Sequence, residues 1–331
     1  MTNVDQPSTS SEVHWSVDSI EMDGTLVLPA GAGPFPAVLL VAGSGPTDRD
    51  WCSPLLPGSN GSARLLAEEL ARSGFASLRF DKRASGPRAL QNARALLGRM
   101  SMQSHEDEVA GAVRTLAARP EIRPDRLFAL GNSEGTIHVL HHQLHAPERR
   151  FAGLVLAAPP GRSVGAVART QLAAQAAALP NAEPLLHLYD EAIARFVAGD
   201  PASPDPSLPQ AIKALIQGLE APVNLPFARE LWTTDAASLL ARVSAPVLVL
   251  IGKKDLQVDC RLDGEPLERA AASRADVTFR YPENANHVLK LEPRPRAELS
   301  AANIVQSYNG PDTRLDPESA AIIIDWLRAR V

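Results

Sequence analysis

The stretch LFALGNSEGTIHVL, Leu127–Leu140, places Ser133 between two glycines where an apolar run meets a helical pattern. A G-x-S-x-G pentapeptide between a buried strand and a helix is typical of a nucleophile elbow, a turn sharp enough to strain the serine backbone. Glycines are needed two residues away on each side because the strand and the helix nearly touch there. The N-terminus of the helix directs its N–H groups and its dipole at the serine. The alternative is an ordinary tight turn, so the rest of the chain must decide.

Short apolar runs recur along the chain and are typical of parallel strands buried on both faces. Helical patterns separate them, and this alternation predicts an α/β fold with a mostly parallel central sheet flanked by helices. Near the start, two alternating segments flank the turn-like sequence MDGT, Met22–Thr25, which predicts a hairpin-like edge with its turn there. The predicted strands are Ala37–Ala42, Phe75–Phe80, Arg126–Leu130, Phe151–Ala158, Pro246–Ile251 and Val277–Tyr281.

Several helices have recognisable starts or long helical patterns. Ser62–Ser73 is rich in leucine, alanine and glutamate and is followed by a glycine, which favours a helix that stops there. Ser104 and Asp107 match a capping box and predict a helix that begins at this point. Asp316 before Pro317 predicts the start of the last helix.

The alternation of strands and helices breaks between residues 161 and 243, where no convincing strand appears. Helical patterns cover Val167–Ala178, Ala182–Val197 and Ala211–Leu219, which predicts a helical lid inserted before the strand that carries the catalytic acid. The predicted organisation is a mobile tail over residues 1–12, a core over 13–160 and 244–331, and a lid over 161–243.

A serine hydroxyl is a weak nucleophile unless a base takes its proton. Behind a G-x-S-x-G elbow the chain order is serine, acid, histidine, and this order selects among the eight histidines. His287 follows a late predicted strand and lies in a loop, so we assign it as the base; the alternative is a plain surface histidine. The acid should follow the strand Pro246–Ile251, where Asp255 is the first choice and Asp259 the reserve.

A tetrahedral intermediate needs two N–H donors for its oxyanion. One is expected from the main chain of Glu134, directly after the candidate nucleophile. The other is expected from the GSGP loop, Gly43–Pro46, where we assign the N–H of Ser44 and keep Gly43 as the alternative. Glycines let this loop approach a substrate closely, whereas the competing interpretation is a plain Gly/Pro turn.

Contacts to the substrate are expected from Gly43, Trp51, Leu188 and Trp232. The apolar side chains among them would form a pocket, or alternatively pack the lid onto the sheet.

Four histidines, His138, His141, His142 and His145, have helical spacing that suits a metal ion. No cysteine or evident carboxylate near them completes such a site, and a serine mechanism needs no metal. We therefore predict neither a metal nor another cofactor.

The bulk composition excludes several classes of protein. The net charge is −5 and the isoelectric point is near 5.9, which argues against a nucleic-acid binder. Cys52 and Cys260 are too few for a disulfide framework and would pair only if the fold joined them. The N-terminal stretch lacks a signal-peptide pattern, and no apolar run is long enough to span a bilayer. We expect a cytoplasmic protein with no membrane partner; its oligomeric state stays open, with a homodimer as one alternative.

Five motifs together resemble the α/β-hydrolase superfamily, and within it bacterial esterases of the dipeptidyl-aminopeptidase and acylaminoacyl-peptidase type. The resemblance runs from about Ile20 to Leu327 and implies the α/β-hydrolase fold with a Ser133–Asp255–His287 triad. Relatives usually have histidine where this chain has Ala42 or Asn132, and D-x-R-G-x-G where it has DKRASG. The motifs are GSGPTDRD at Gly43–Asp50, FDKR at Phe80–Arg83, GNSEG at Gly131–Gly135, GKKDLQVD at Gly252–Asp259 and NANHVLK at Asn284–Lys290.

The residues and the resemblance together predict a serine hydrolase that cleaves carboxylic esters, with a small-molecule ester as its substrate. Amide chemistry by an aminopeptidase or acyl-peptidase stays open, as does thioester, lactone or C–C bond cleavage with the same triad. The alternative of another class is a non-catalytic binding protein, and three triad residues in the expected order argue against it.

Overall fold

Eight strands form one sheet in the computed structural model, which describes residues 8–146, 149–177, 179, 181–300 and 303–331. They are β1 Thr9–Val17, β2 Ile20–Leu28, β3 Phe35–Val41, β4 Ala76–Phe80, β5 Ile122–Asn132, β6 Gly153–Ala157, β7 Val247–Leu250 and β8 Val277–Arg280. Their order across the sheet is β1-β2-β4-β3-β5-β6-β7-β8. The β1–β2 and β2–β4 pairs are antiparallel, and the remaining neighbours are parallel. All six strands predicted from apolar runs are confirmed.

Twelve α-helices lie in the described parts of the chain, between these strands or after the last one. They are α1 Ser62–Arg72, α2 Ala89–Leu96, α3 Met102–Ala117, α4 Glu134–His145, α5 Val164–Ala176, α6 Ala182–Ala198, α7 Gln210–Glu220, α8 Phe227–Trp232, α9 Ala236–Leu240, α10 Gly264–Ala270, α11 Ile304–Asn309 and α12 Pro317–Arg328.

The strand β3 shows why the central strands are apolar along their whole length. Leu39 belongs to the core cluster that also contains buried residues of α3 and α4, whereas its neighbour Leu40 belongs to the cluster with α1 and α12. Successive side chains of a strand point to opposite faces, so a sheet covered on both faces requires apolar residues at every position. The continuous apolar runs in the sequence are the consequence.

The predicted edge hairpin exists, but its turn is not at Met22–Thr25. β1 and β2 are joined at Asp18 and Ser19, which have φ values of 49° and 68°. Positive φ at both central residues is the pattern of a type I′ hairpin turn, which aspartate tolerates. Gly24 lies inside β2, where a Cβ atom would come within 3.0 Å of the Trp15 ring. The glycine therefore marks close packing and not a turn.

The predicted mobile tail over residues 1–12 is partly wrong. Thr9–Glu12 belong to β1 and pair with Thr25–Leu28 of β2. The side chain of Thr25 also donates a hydrogen bond of 2.8 Å to Glu12. Residues 1–7 of the predicted tail lie outside the described residues.

The predicted capping box at Ser104 is shifted by one turn. Ser101 is the N-cap of α3, its hydroxyl accepts the Ser104 N–H at 3.1 Å, and the Ser104 hydroxyl accepts the Ser101 N–H at 2.9 Å. Two serines three residues apart satisfy each other's backbone, so the helix begins one turn earlier than Ser104 and Asp107 suggest.

The described part of residues 161–243 contains the helices α5 to α9 and no strand of the sheet, and we call this segment the helical insert. Its helices α5 to α8 surround a separate apolar cluster with Tyr189, Phe196 and Ile216 at its centre. A cluster of its own indicates that the helical insert is stabilised largely by internal packing. That it acts as a lid, and the domain limits set out above, stay predictions.

Two expectations concern the chain as a whole. Cys52 and Cys260 are both free thiols. Across the described residues, no helix combines the length and the apolar character that crossing a bilayer demands.

The start of α12 allows a test of the prediction that Asp316 begins the last helix. Asp316 is the N-cap and its carboxylate accepts bonds from the Ser319 N–H and hydroxyl at 2.8 and 2.7 Å. Asp316→Ala should lower the free energy of unfolding by about 1 kcal/mol because the helix loses its cap. Urea denaturation would measure the loss, with the exposed Asp312→Ala as the matched control. Equal stability of the two variants would contradict the assignment.

Candidate active site

The turn between β5 and α4 has the geometry expected of a nucleophile elbow. Ser133 lies between the last residue of β5 and the first of α4, with φ 54° and ψ −122°. A non-glycine residue with positive φ is strained and persists only where its surroundings hold it. The Ser133 N–H donates to the Ala157 carbonyl of β6 at 2.8 Å. Ser133 is only half-buried, which leaves it open to a substrate.

The two flanking glycines are required by close contact between backbones. A Cβ atom on Gly131 would lie 2.4 Å from the Gly135 carbonyl oxygen, and one on Gly135 would lie 2.5 Å from the Val41 carbonyl oxygen. Both distances are far shorter than any van der Waals contact. The helix therefore starts directly against β5 and β3, as the G-x-S-x-G spacing predicts.

His287 and Asp255 form a buried pair at the ends of β7 and β8. His287 Nδ1 lies 2.8 Å from Asp255 Oδ2. The other carboxylate oxygen accepts the N–H groups of Gln257 and Val258 at 2.7 and 3.0 Å. Because the carboxylate is fixed by the backbone, it fixes the imidazole in turn and leaves Nε2 for proton transfer.

The two candidate acids, Asp255 and Asp259, have different partners in the structure. Asp259 forms an ion pair with Arg296 at 3.0 Å and accepts the N–H groups of Arg261 and Leu262. Its carboxylate is thus occupied by its own turn, whereas Asp255 contacts the histidine. The pairing favours Asp255 over the reserve.

Asn132 links the elbow to the histidine loop, and sequence reasoning missed it. Its side-chain Nδ2 donates to the His287 carbonyl at 2.9 Å. Because Asn132 directly precedes Ser133, this bond ties the backbone of the base to that of the nucleophile. The available signal was its position next to Ser133 in place of the histidine that relatives usually carry.

Tyr308 of α11 is a second neighbour that the sequence did not reveal. Its ring lies nearly parallel to the His287 imidazole, with centroids 6.4 Å apart. The phenol oxygen accepts a bond from Gln257 at 3.1 Å. Burial, together with the nearby Asp255 charge, raises the pKa of Tyr308 well above its ordinary value, so the phenol stays neutral beside the pair.

The loop after β3 lies directly against the nucleophile. A Cβ atom on Gly43 would be 3.2 Å from the Ser133 Cβ. Glycine fits at this position, whereas any other residue would fit only with difficulty. Ser44 is exposed, and its carbonyl accepts the Thr47 hydroxyl at 2.7 Å. Further along, Arg49 bonds to Asp81 through two nitrogens at 2.9 and 2.7 Å. These contacts shape a loop from which Gly43 or Ser44 can offer an N–H to an oxyanion.

The Glu134 side chain points into the protein and not toward a substrate. Its carboxylate is buried, 3.1 Å from His138 Nε2 and 3.6 Å from Lys82 Nζ. Burial alone would raise the pKa of Glu134, but the Lys82 charge and the His138 hydrogen bond hold it below its usual range. An internally paired carboxylate is poorly placed to bind a substrate amine, which an aminopeptidase would need.

Two of the predicted substrate contacts, Trp51 and Trp232, are buried core residues in the structure, and Leu188 is partly buried. Trp51 is buried in the core cluster on the α1 side of the sheet. Leu188 and Trp232 pack in the cluster of the helical insert, where Trp232 meets Phe196 edge-on at 6.5 Å. A cleft of about 360 Å³ within the insert is lined in part by Trp232 and Tyr189. Contact of these side chains with a substrate stays a prediction.

The histidine-rich face of α4 does have a carboxylate nearby. Glu106 of α3 lies 3.1 Å from His141 Nδ1 and 3.6 Å from His145 Nδ1. The three residues offer potential ligand atoms within 4.8 Å of one another. The argument from sequence that no carboxylate is near was wrong, because packing of α3 against α4 joins residues far apart in the chain. His138 lies elsewhere, stacked on His105 at 4.6 Å.

This sheet, with a strained serine after its fifth strand and an Asp–His pair at the ends of its last two, defines the α/β-hydrolase fold. The family model described as "Serine aminopeptidase, S33" matches residues 58–294, and the chain belongs to this family.

Known proteins agree with this placement. Esterase EstD of Thermotoga maritima is 27% identical over 280 residues, which cover 81% of this chain and 58% of EstD, so the chain spans little more than half of that relative. An esterase of Pyrococcus furiosus has a TM-score of 0.56 at 14% identity, with 97% of this chain and 91% of that one covered. Proline iminopeptidase of Mycobacterium smegmatis has a TM-score of 0.57 at 16% identity, with 97% and 98% covered. At such identities the structures support the fold alone.

The buried His138 predicts a pH dependence of stability. Burial lowers the pKa of His138 to about 4, although the Glu134 hydrogen bond opposes the shift. Below its ordinary pKa of 6.5 the unfolded chain takes up a proton that the folded chain resists until about pH 4, so stability falls as the pH drops through this window. The loss attributable to this group is at most about 3 kcal/mol.

Urea denaturation between about pH 7 and pH 4.5 should show the effect as a difference in slope. His138→Gln, which can still donate to Glu134, should lose stability less steeply than wild type as the pH falls. His187→Gln, at a histidine with a 74% exposed side chain, is the matched control and should follow wild type. Parallel curves for all three proteins would refute the assignment.

Proposed function

We propose that this protein is a serine esterase that hydrolyses carboxylic esters through an acyl-enzyme. The observation that carries the proposal is the strained, partly exposed Ser133 on the sheet edge that also holds the buried Asp255–His287 pair. EstD, a protein named as an esterase, supports ester chemistry at 27% identity.

In the acylation step the Ser133 hydroxyl attacks the carbonyl carbon of the ester while His287 Nε2 accepts its proton. Asp255 holds the Nδ1–H of the imidazole and stabilises the imidazolium that forms. The main-chain N–H groups of Glu134 and Ser44 bind the oxyanion of the tetrahedral intermediate. Collapse of this intermediate breaks the bond to the alkoxy oxygen, and His287 returns the proton to the departing alcohol.

In the deacylation step a water molecule attacks the acyl carbonyl of the ester formed with Ser133. His287 takes a proton from this water and returns it to the serine oxygen as the carboxylic acid leaves. The same oxyanion donors serve both steps. The whole cycle uses groups of the protein and water and requires no cofactor.

The main rival is amide hydrolysis by an aminopeptidase or acyl-peptidase. The same triad performs it, so the distinction depends on what anchors the substrate. The carboxylate of Glu134, the residue that follows Ser133, is buried and paired with Lys82 and His138, so it is not free to bind an amino terminus. We therefore favour esters, and among them small to medium apolar or aromatic ones, because the helical insert is rich in apolar side chains.

The first test of the proposal is hydrolysis of p-nitrophenyl acetate, butyrate and octanoate by wild type and Ser133→Ala. Removal of the nucleophile should lower kcat/KM about a thousandfold or more. The profile over chain length would size the acyl pocket, and p-nitroanilide substrates of amino acids would measure the rival activity. Wild type as slow as Ser133→Ala on every ester, with no labelling of Ser133 by a fluorophosphonate, would favour the non-catalytic binding protein instead.

The second test compares the two aspartates. Asp255→Asn should lower kcat by about 10⁴-fold because the amide no longer enforces the tautomer that leaves Nε2 free as a base. Asp259→Asn is the matched control and should retain kcat, since that carboxylate contacts Arg296 and its own turn. Steady-state kinetics with p-nitrophenyl butyrate would separate them. A larger loss in Asp259→Asn would reverse the assignment.

A further inference from the structure

A buried lysine lies behind the candidate oxyanion site. Lys82 follows the end of β4 and is only 5% exposed. Its ammonium group donates a hydrogen bond to the carbonyl oxygen of Gly43 and lies 3.6 Å from Glu134 Oε1. Burial of an ammonium group costs desolvation free energy, so such a group is almost always paired. The two partners of Lys82 therefore indicate its role.

The first partner fixes the direction of an N–H group. The Gly43 carbonyl and the Ser44 N–H belong to one peptide unit, which is planar and trans, so they point to opposite sides. When Lys82 holds the carbonyl on the inner side, the Ser44 N–H must point outward. Gly43 lies against Ser133, since a Cβ atom on it would be 3.2 Å from the serine Cβ. The Gly43–Ser44 peptide therefore lies beside the nucleophile.

A cation on a carbonyl also strengthens the N–H donor of the same peptide. Hydrogen bonds in a chain polarise one another, and the effect is larger where the local dielectric is low. An oxyanion bound to the Ser44 N–H would thus be stabilised indirectly by the Lys82 charge. The charge itself stays away from the substrate.

The second partner belongs to the other predicted donor. Glu134 offers its main-chain N–H to the oxyanion, while its side-chain carboxylate faces the ammonium group of Lys82. Lys82 therefore contacts both peptide segments that are expected to supply donors, Gly43–Ser44 and Ser133–Glu134.

We propose that Lys82 is a positioning residue that sets the geometry of the oxyanion site by holding the Gly43 carbonyl, with Glu134 as its counter-ion. This inference rests on the proposed esterase function. The competing explanation is that Lys82 serves only to neutralise the buried Glu134 carboxylate. The two explanations differ once both charges are removed together.

The decisive protein is the double variant Lys82→Met/Glu134→Gln. Methionine and glutamine nearly keep the volumes, and neither leaves an uncompensated buried charge, so the double variant should fold even if Lys82→Met alone does not. If Lys82 only neutralises Glu134, the double variant regains the kcat of wild type. If Lys82 orients the Ser44 N–H, kcat stays low because the Gly43 carbonyl has lost its donor.

We expect the double variant to have a melting temperature close to that of wild type, a KM within about threefold and a kcat lowered about 100-fold, as for loss of one oxyanion donor. Affinity for a trifluoromethyl ketone, which forms a tetrahedral oxyanion adduct with the serine, should fall by a similar factor. Lys213→Met is the matched control, because the Lys213 ammonium group also donates to a main-chain carbonyl, that of Pro206 in the helical insert. This control should keep wild-type values.

Wild type and Ser133→Ala measured in the same assay distinguish the two levels of failure. A wild type no faster than Ser133→Ala would overturn the proposed function and this inference with it. A wild type much faster than Ser133→Ala, together with a double variant that equals wild type in kcat and in ketone affinity, would overturn the role of Lys82 alone.

Discussion

The left-handed backbone of Ser133 is the constraint on which the candidate site depends. At φ 54° and ψ −122° this residue stores strain, of the order of 1–3 kcal/mol for such a conformation. Its N–H is held by the hydrogen bond to the Ala157 carbonyl. Gly131 and Gly135 allow the close backbone contacts on either side because they have no side chains. Because these contacts lie within a sheet buried on both faces, the surrounding packing can keep a conformation that an isolated turn would abandon.

The topology of the parallel sheet brings the other residues of the candidate site close to Ser133. The carboxyl ends of β3, β5 and β7 share one edge, so the loops after them carry Gly43, Ser133 and Asp255 to the same place. β8 ends at this edge too, and the chain after it delivers His287 to Asp255. Asn132 then ties the His287 carbonyl to the elbow itself. The topology therefore provides proximity, and a few hydrogen bonds provide orientation.

Features encoded locally in the sequence were predictable, and those created by packing were not. Apolar strands and the G-x-S-x-G turn depend on neighbours in the chain, so they could be found. Asp255 and His287 could be selected as candidates because the chain order behind such a turn is serine, acid, histidine. The prediction of a turn at Met22–Thr25 was wrong because Gly24 is required by close packing against the Trp15 ring and the Arg79 carbonyl, and not by a turn. The contacts of Asn132, Lys82 and Glu106 join elements that only the fold brings together, which a single sequence cannot reveal.

The buried charged groups next to the elbow are explained better by a role in positioning the candidate site than by a contribution to the stability of the fold. Buried ionic groups stabilise a fold no more than well-packed apolar side chains of similar size. Yet the chain places Glu134 beside Lys82 and His138, stacks His138 on His105, and bonds His105 to Glu108 at 3.2 Å.

This network also reaches the helical insert. Phe227, at the start of α8, lies with its ring 4.3 Å from that of His105. The elbow and the insert are thus supported by one set of buried groups. The contact couples the position of the helical insert to α4, the helix that follows Ser133, because His105 and His138 pack on each other and the Phe227 ring packs against both.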